Sequence, residues 1–524
     1  MRGLGIRAYN IIFHTHTVSG IVISFVLFII FFAGALSLYK QEIYQWENPQ
    51  ARIEVIPTID YERLLSRMDS IYPGAKESHE IRVIQPTSSK PIYTIYAPIE
   101  KDSGIQFLTF MYNPHSDALT EITHGEWSTT GETLYRLHFL DQIPLYIGRY
   151  LAGVVSLFFA FAVITGLLIH WKNIVSKFYA FSFKRITKQF WTNAHTVFGI
   201  IGLPFQLMYA ITGAFYMLIL LVLAPTVLVL FGGDDHKLIE KLFPMEQFHE
   251  HEHAEAHKQE HMAHMSIAEG LQRIQRDHPK YNIPYLDIVN LGQKNAVLGA
   301  ELTAKNQFNS SGIVVLDLHT GGYKMNIQPG TKDYTQSILQ GINQVHFGSF
   351  GGWLSKALYF ILSVFTCFVI ISGVLMWKEA RNKPTYTDGQ RKFHHRVTKL
   401  YLAICFSLFP TTAFLFLAEQ LFPQTTGRVD IINSLFFGCW LVLASMAYLL
   451  SSEKKIAQFF LWTGGVLAIL VPIANGFATG DWFWGTASSL PYVFMTDIVW
   501  LITGFIALSL AFSVFIKNRQ RALT

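Results

Sequence analysis

The sequence has very few cysteines and few charged residues, and each scarcity excludes a class of protein. Only three cysteines occur among 524 residues, and Cys367, Cys405 and Cys439 all lie within apolar stretches. A disulfide framework and a cysteine-rich metal site are therefore excluded. Charged residues make up 15% of the chain and apolar residues 51%. Because soluble domains contain roughly 25% charged residues, the composition indicates a membrane protein.

Several cofactor motifs are also missing. No C-x-x-C-H occurs, so any haem would be held without covalent bonds. No G-x-G-x-x-G follows a strand-like stretch, and no P-loop is present, so the chain shows no self-contained nicotinamide or ATP site and no evident flavin site. An electron donor would then be a separate cytoplasmic protein or a membrane quinol.

Long apolar runs take the place of these motifs. Crossing a hydrocarbon core of about 30 Å requires roughly 18 or more apolar residues in a helix. Eight stretches meet this requirement: 18–39, 148–171, 197–230, 353–377, 398–421, 431–450, 457–478 and 492–516. The first ends in Tyr39-Lys40 without a small-residue cleavage site, so we expect a retained helix and not a signal peptide.

The net charge of +5 is explained by membrane topology and not by a nucleic-acid partner. Lysine and arginine concentrate in the short loops after the second and fourth apolar stretches and near the C-terminus. The positive-inside rule places these loops and both termini in the cytoplasm. The two long loops, about 40–137 and 231–345, then lie outside.

A short segment occurs twice. His16-Thr17-Val18 opens one apolar run and His195-Thr196-Val197 opens another, 179 residues later. A second pair of histidines, His138 and His346, precedes two further apolar helices that contain Thr-Gly or Ser-Gly and close with Trp-Lys. The first ~380 residues therefore form a duplicated unit of helix, polar domain and helix.

Each external loop shows the pattern of a small α+β domain. Apolar spacing predicts a helix over Tyr61 to Ile71 in the first loop and over Ser266 to Ile274 in the second. Alternating apolar residues predict three strands in each loop. The predicted strands are 80–84, 91–97, 105–112, 285–290, 297–303 and 312–318.

This arrangement resembles the PepSY-associated transmembrane family, which includes iron-regulated inner-membrane proteins and dihaem ferric-siderophore reductases. The expected fold is a mainly α membrane protein with about eight transmembrane helices. The first four form two pseudo-symmetric repeats, each with an inserted PepSY-like α+β domain. The resemblance implies an inner membrane of bacterial type, with both inserted domains in the periplasm. The expected segments are 1–40, 41–137, 138–172, 190–230, 231–345, 346–378 and a C-terminal four-helix bundle at 395–518, which shorter family members lack.

The duplicated histidines are candidate haem ligands. Packing two copies around a pseudo-two-fold axis would bring His16 to His195 and His138 to His346. Two axial imidazoles suit electron transfer better than oxygen binding, and ionisable residues in membrane spans are usually functional. We therefore predict two b-type haems, one near each face of the bilayer.

Three other histidines remain alternatives. His14 lies two residues before His16, His170 ends the second span and His395 opens the fifth. The repeat gives neither His14 nor His170 a matching histidine. His138 lies 28 residues before Gly166, about 42 Å of straight helix, which exceeds one bilayer. We expect Pro144 to break this path and leave His138 on a short separate helix.

A histidine-rich tract lies between the third span and the second external domain. Such tracts bind metal readily, since neutral imidazole is a good ligand. The alternative interpretation is a solvated segment with adventitious affinity. Its candidate ligands are His249, His251, His253, His257, His261 and His264.

The resemblance implies a haem-dependent reductase that passes electrons across the membrane to a periplasmic ferric siderophore or other ferric chelate, which would release iron. The alternatives are a non-enzymatic module that binds peptide, protein or metal through its external domains, and a metal permease. A permease would need acidic residues within the spans, and Glu419 and Asp497 are the main candidates.

Overall fold

The computed structural model describes residues 5–75, 79–101, 104–122, 128–179, 187–248, 265–305, 307–422 and 427–523. The chain is mainly helical, as expected, with one antiparallel sheet. The described helices are, in order, α1 Ile6–Ser37, α2 Lys40–Glu47, α3 Tyr61–Ile71, α4 Thr129–His138, α5 Ile147–His170, α6 Ile174–Phe178, α7 Thr187–Ile201, α8 Leu203–Met217, α9 Ile219–Leu230, α10 Asp235–Leu242, α11 Ile267–Asp277, α12 Tyr334–Phe347, α13 Gly352–Arg381, α14 Asp388–Leu421, α15 Arg428–Leu449, α16 Glu453–Thr479, α17 Phe483–Thr486 and α18 Pro491–Leu523. The described strands are β1 Glu80–Ile84, β2 Tyr93–Lys101, β3 Gly104–Asn113, β4 Ala118–Ile122, β5 Tyr285–Val289, β6 Val297–Thr303, β7 Ser311–Asp317 and β8 Tyr323–Ile327.

Seven of the described helices are long and apolar enough to cross a membrane, and a bent pair of helices makes an eighth span if it is counted as one. The chain is therefore a multi-pass membrane protein. The bent pair lies where the sequence predicts an unbroken third span over 197–230. Gln189–Ile201 and Leu203–Met217 meet at an angle of 69°. Pro204 follows the break, and proline is favoured in the first turn of a helix, where its missing N–H has no partner within the helix.

The described residues form two compact units. The first falls within residues 1–49, 125–220 and 353–524, and the second within 50–124 and 221–352. The short helices α2 and α4 therefore belong to the first unit, whereas the expected segments assign 41–137 to the external domain. In the second repeat, helix α12, which carries His346, belongs to the second unit.

The second unit is built on a single eight-stranded antiparallel sheet with the order β4-β3-β2-β1-β5-β6-β7-β8. Its two halves come from the two external loops and meet where β1 pairs with β5, with Arg82 opposite Asp287. Helices α3 and α11 contribute to one shared apolar core with strands from both halves. The two inserted domains thus form one sheet and one core.

The first unit is a helical bundle. Helix α1 packs against α4 and α5, α5 packs against α8, and α14 packs between α15 and α16. Its buried core includes a cluster of aromatic rings in which Phe31 contacts Phe159 and Tyr209 with centroids 5.3 and 6.1 Å apart. Apolar side chains therefore fill the interior between α1, α5 and α8.

Helix α4 is separate from the membrane helix that follows it. It ends at His138, and α5 begins at Ile147. Leu140, Leu145 and Tyr146 between them have positive φ angles, which side-chain-bearing residues adopt at a cost. The chain therefore turns sharply around Pro144, and the short helix expected for His138 is present.

Candidate functional site

His16 and His195 lie against each other in the first unit. His16 is on α1 and His195 is on α7, and their ring centroids are 6.3 Å apart with an interplanar angle of 72°. Two imidazoles bound to opposite sides of one metal ion, at metal–nitrogen distances of about 2 Å, have ring centres about 6 Å apart. The observed separation therefore fits a pair of axial ligands.

Each of these rings is held through Nδ1 by the backbone of a neighbouring helix. His16 Nδ1 lies 2.9 Å from the carbonyl oxygen of Ala162 on α5. His195 Nδ1 lies 2.9 Å from the carbonyl oxygen of Val369 on α13. A carbonyl only accepts, so Nδ1 carries the hydrogen in both rings and, in the neutral form, Nε2 carries the lone pair. This contact is typical of histidines that bind a metal through Nε2.

The Thr-Gly and Ser-Gly motifs of the repeat lie directly beside these rings. Thr165 Oγ1 is 3.2 Å from His16 Nδ1, and Ser372 Oγ is 3.4 Å from His195 Nδ1. A Cβ atom at Gly166 would lie 3.2 Å from His16 Cε1. The motif therefore supplies a hydroxyl and leaves room for the ring. In the sequence, the only sign of this role is that the motif occurs in both repeats.

The match at Gly373 completes the internal symmetry of the site. A Cβ atom there would lie 3.1 Å from His195 Cε1. Each histidine thus has the same three neighbours: a carbonyl, a hydroxyl and a glycine. They come from equivalent positions 207 residues apart, so both repeats contribute the same arrangement to one site.

His138 is engaged in the same way near the other end of α1. Its Nδ1 lies 2.8 Å from the carbonyl oxygen of Ile30. A Cβ atom at Gly34 would lie 2.6 Å from that nitrogen, so the glycine is needed for the close approach of α4. About 21 Å of helix separates His16 from Ile30, which places the two histidine positions far apart along α1.

His346 lies at the end of α12 in the second unit, where 9% of its surface is exposed and its ring contacts Phe347 at 5.3 Å. His138 belongs to the first unit. The pairing of His138 with His346 therefore stays a prediction.

The three alternative histidines have different surroundings. His14 is exposed. His170 Nε2 is 3.5 Å from Thr196 Oγ1, a weak contact. His395 Nδ1 is 2.9 Å from Glu453 Oε1, and the His395 side chain is 42% exposed. None of these rings has the carbonyl, hydroxyl and glycine set that surrounds His16 and His195.

The histidine-rich tract 249–264 lies outside the described residues. Among the residues that are described, no group of three or more His, Cys, Asp or Glu side chains is placed to hold a metal ion. The paired histidines instead present two nitrogens, the number that a haem takes from the protein when both axial positions are filled.

The two acids considered for an ion path are both engaged in buried polar contacts. Glu419 Oε1 is 2.5 Å from Arg428 Nη2, and Glu419 Oε2 accepts a hydrogen bond of 2.7 Å from Thr130. Asp497 Oδ1 accepts one of 2.7 Å from the indole of Trp46. These contacts fix the acids in the bundle and disfavour a permeation path through them.

The fold and the paired histidines define a multi-pass membrane protein with a two-histidine site inside its helical bundle. The model of the PepSY-associated TM region matches residues 13–380. The chain therefore belongs to this family, and the resemblance seen in the sequence is confirmed. The match ends before α14, so the C-terminal bundle lies outside it. No curated protein matches the chain significantly.

Proposed function

We propose that this protein is an inner-membrane oxidoreductase that moves electrons across the bilayer to a periplasmic ferric chelate, with two b-type haems as cofactors. The observation that carries the proposal is the His16–His195 pair, with ring centroids 6.3 Å apart. A haem held between two histidines exchanges one electron at a time without opening an axial position. The acceptor proposed from the family resemblance is a ferric siderophore.

The protein's own residues orient the histidine ligands and limit the access of water to the site. The carbonyls of Ala162 and Val369 fix the two rings, so little reorganisation is needed when a ligand binds. The half-buried positions of His16 and His195 and the packed aromatic core around Phe31 limit solvent access, which is one of the factors that set a haem potential. His138, held by Ile30, is proposed as a ligand of the second haem together with His346.

The proposal is tested on protein purified from membranes of cells supplied with ample haem. A pyridine haemochrome assay should give two b-type haems per chain, and the reduced protein should show a split α band. In proteoliposomes with a quinol donor, reduction of an external ferric chelate should depend on His16 and His195. A colourless protein, or one that reduces the chelate equally well after both histidines are replaced by alanine, would overturn the proposal.

A further inference from the structure

The short helix α4, which ends in His138, is held by helices that lie outside the family match. Thr130 Oγ1 donates to Glu419 Oε2 on α14 at 2.7 Å. One turn further along α4, the Thr133 hydroxyl is 2.7 Å from Asn433 Oδ1 on α15. Because residues three apart share a helix face, both contacts are made to the same side of α4.

We propose that the C-terminal bundle α14–α18 acts as a clamp that sets the position of His138, with Glu419 and Asn433 as its positioning residues. The proposal rests on the proposed function where it treats His138 as a haem ligand. It goes beyond that function because it assigns a role to helices that the family match does not cover.

Glu419 is itself rigidly placed. Arg428 Nη2 lies 2.5 Å from Glu419 Oε1 and donates to the Glu419 backbone carbonyl at 2.6 Å. Arg428 Nε also donates to the carbonyl of Phe422 at 3.2 Å. Glu419 and Arg428 are each 3% exposed and Thr130 is fully buried. A buried ion pair joined to hydrogen bonds in this way holds the Glu419 carboxylate in place. Its hydrogen bond with Thr130 therefore restrains α4 as well as the acid.

The same bundle also holds α2, which caps α4. Glu47 Oε2, at the end of α2, accepts hydrogen bonds from the backbone N–H groups of Thr130 and Gly131 at 2.9 and 3.0 Å. These are first-turn donors of α4, which have no partner within the helix. The preceding residue, Trp46, donates to Asp497 on α18 at 2.7 Å. Helix α2, which caps α4, is thus hydrogen-bonded to the C-terminal bundle.

Asn475 extends this network to the remaining long helix. Its side chain on α16 donates to Asp497 Oδ2 at 2.9 Å, and it is fully buried. Helices α14, α15 and α18 therefore each contribute a polar side chain that contacts α2 or α4, and α16 supports one of these side chains through Asn475.

The contacts with the bundle lie in the first half of α4, and His138 lies at its end. About 12 Å of helix separates Thr130 from His138, and α4 is ten residues long. Beyond His138 the chain turns through residues with positive φ, so no continuous helix holds that end. A movement at Thr130 and Thr133 is therefore carried to the His138 ring and to its contact with Ile30. Ligand geometry tolerates displacements of only about 0.5 Å.

The test replaces the two hydroxyl donors. Thr130→Val/Thr133→Val keeps the side-chain shape and removes both hydrogen bonds, whereas Thr130→Ser/Thr133→Ser keeps the hydroxyls. Ser407→Ala is the matched control, because Ser407 is buried in α14 and, among the described residues, its hydroxyl bonds only to the carbonyl of Ile404 in the same helix. Redox titration and electron paramagnetic resonance resolve the two haem components, and amide hydrogen exchange follows α4 and α5.

We expect the valine variant to shift the potential and the low-spin signal of the component assigned to His138, and to leave the His16–His195 component unchanged. The serine variant and Ser407→Ala should match the unaltered protein. Equal shifts in both components, no shift in either, or a serine variant as impaired as the valine variant would overturn the clamp.

Hydrogen exchange separates this outcome from failure of the proposed function. If the unaltered protein contains no haem, the proposed function fails. The hydrogen-exchange data alone then decide whether the bundle holds α4. Faster exchange in α4 of the valine variant, with α5 unchanged, supports the clamp. Unchanged exchange in α4 overturns it.

Discussion

At the scale of single residues, the candidate site depends on backbone atoms as much as on histidines. The imidazoles of His16, His195 and His138 each place Nδ1 within 2.9 Å of a carbonyl oxygen. These contacts fix which nitrogen faces a ligand and the direction in which it points. The duplication allowed the pairing of His16 with His195 to be predicted from sequence. The carbonyl partners could not be predicted, because Ala162 and Val369 reveal nothing of their backbone geometry.

Replacing His16 or His195 by alanine should remove, or convert to high spin, the same spectral component. Each change deletes one of the two nitrogens that the 6.3 Å geometry places together. Reduced-minus-oxidised spectra and electron paramagnetic resonance measure the effect. His170→Ala, whose ring has only a 3.5 Å contact with Thr196, serves as the control and should be milder. Loss of a component in His170→Ala, with that component retained in His195→Ala, would show that the pairing is wrong.

Gly166→Ala and Gly373→Ala should each weaken haem retention by about tenfold or more, the size typical of changes around metal-bound histidines. The added Cβ would lie 3.2 or 3.1 Å from an imidazole carbon, so the ring must move. The matched controls are Gly20→Ala and Gly199→Ala on the partner helices, where a Cβ meets nothing within 4 Å. Haem dissociation rates, measured by transfer to apomyoglobin, compare the four variants. Equal rates in all four would contradict this role for the two glycines.

At the scale of elements, the joint between β1 and β5 includes one ion pair with a buried carboxylate. Arg82 donates to both carboxylate oxygens of Asp287, at 2.6 and 3.1 Å, and Asp287 is fully buried. Arg82→Met leaves the Asp287 carboxylate without this partner. The change should lower the free energy of unfolding of the sheet by about 1–3 kcal/mol. Breaking a fully buried pair would cost more, but Arg82 is partly exposed. Amide exchange in β1 and β5 measures the change.

The matched control for this joint is Arg63→Met. Arg63 pairs with Asp117 at 2.7 Å, but its side chain is 63% exposed, so its loss should destabilise the sheet much less than the loss of Arg82. The double variant Arg82→Met/Asp287→Leu removes the stranded charge and should recover most of the stability. If Arg63→Met loosens β1 and β5 as much as Arg82→Met, the ion pair does not hold the joint.

The same elements show what the sequence could and could not predict. Helix α3 and strands β1 and β6 have the predicted bounds, because their apolar residues follow a clear period. The edge strands β4 and β8 were missed. Both are short and only partly buried. The sequence of β4 shows no regular alternation, whereas β8, Tyr323 to Ile327, does alternate between apolar and polar residues and carried a signal that was overlooked. The pairing of β1 with β5 joins residues about 205 positions apart, and no local pattern encodes it.

At the scale of the whole molecule, duplication explains the placement of His16 and His195. One copy of the repeat supplies His16 with its neighbours on α5, and the other supplies His195 with equivalent neighbours on α13. The sheet of the second unit likewise joins one half from each loop. Two features fall outside this symmetry: the C-terminal bundle, and the histidine-rich tract 249–264.

The tract has no counterpart in the first repeat, so the duplication argument gives it no role in the haem sites. Deleting residues 249–264 should leave two haems per chain and at least about half of the reduction of a soluble ferric chelate, because the ligands assigned to the haems lie elsewhere in the chain. Haem content and initial rates of chelate reduction check this. A variant with glutamine in place of all six histidines keeps the tract length, and it should behave like the unaltered protein except for weaker retention on a nickel resin. Loss of a haem in both variants would move at least one axial ligand into the tract and would require a ligand set without internal symmetry.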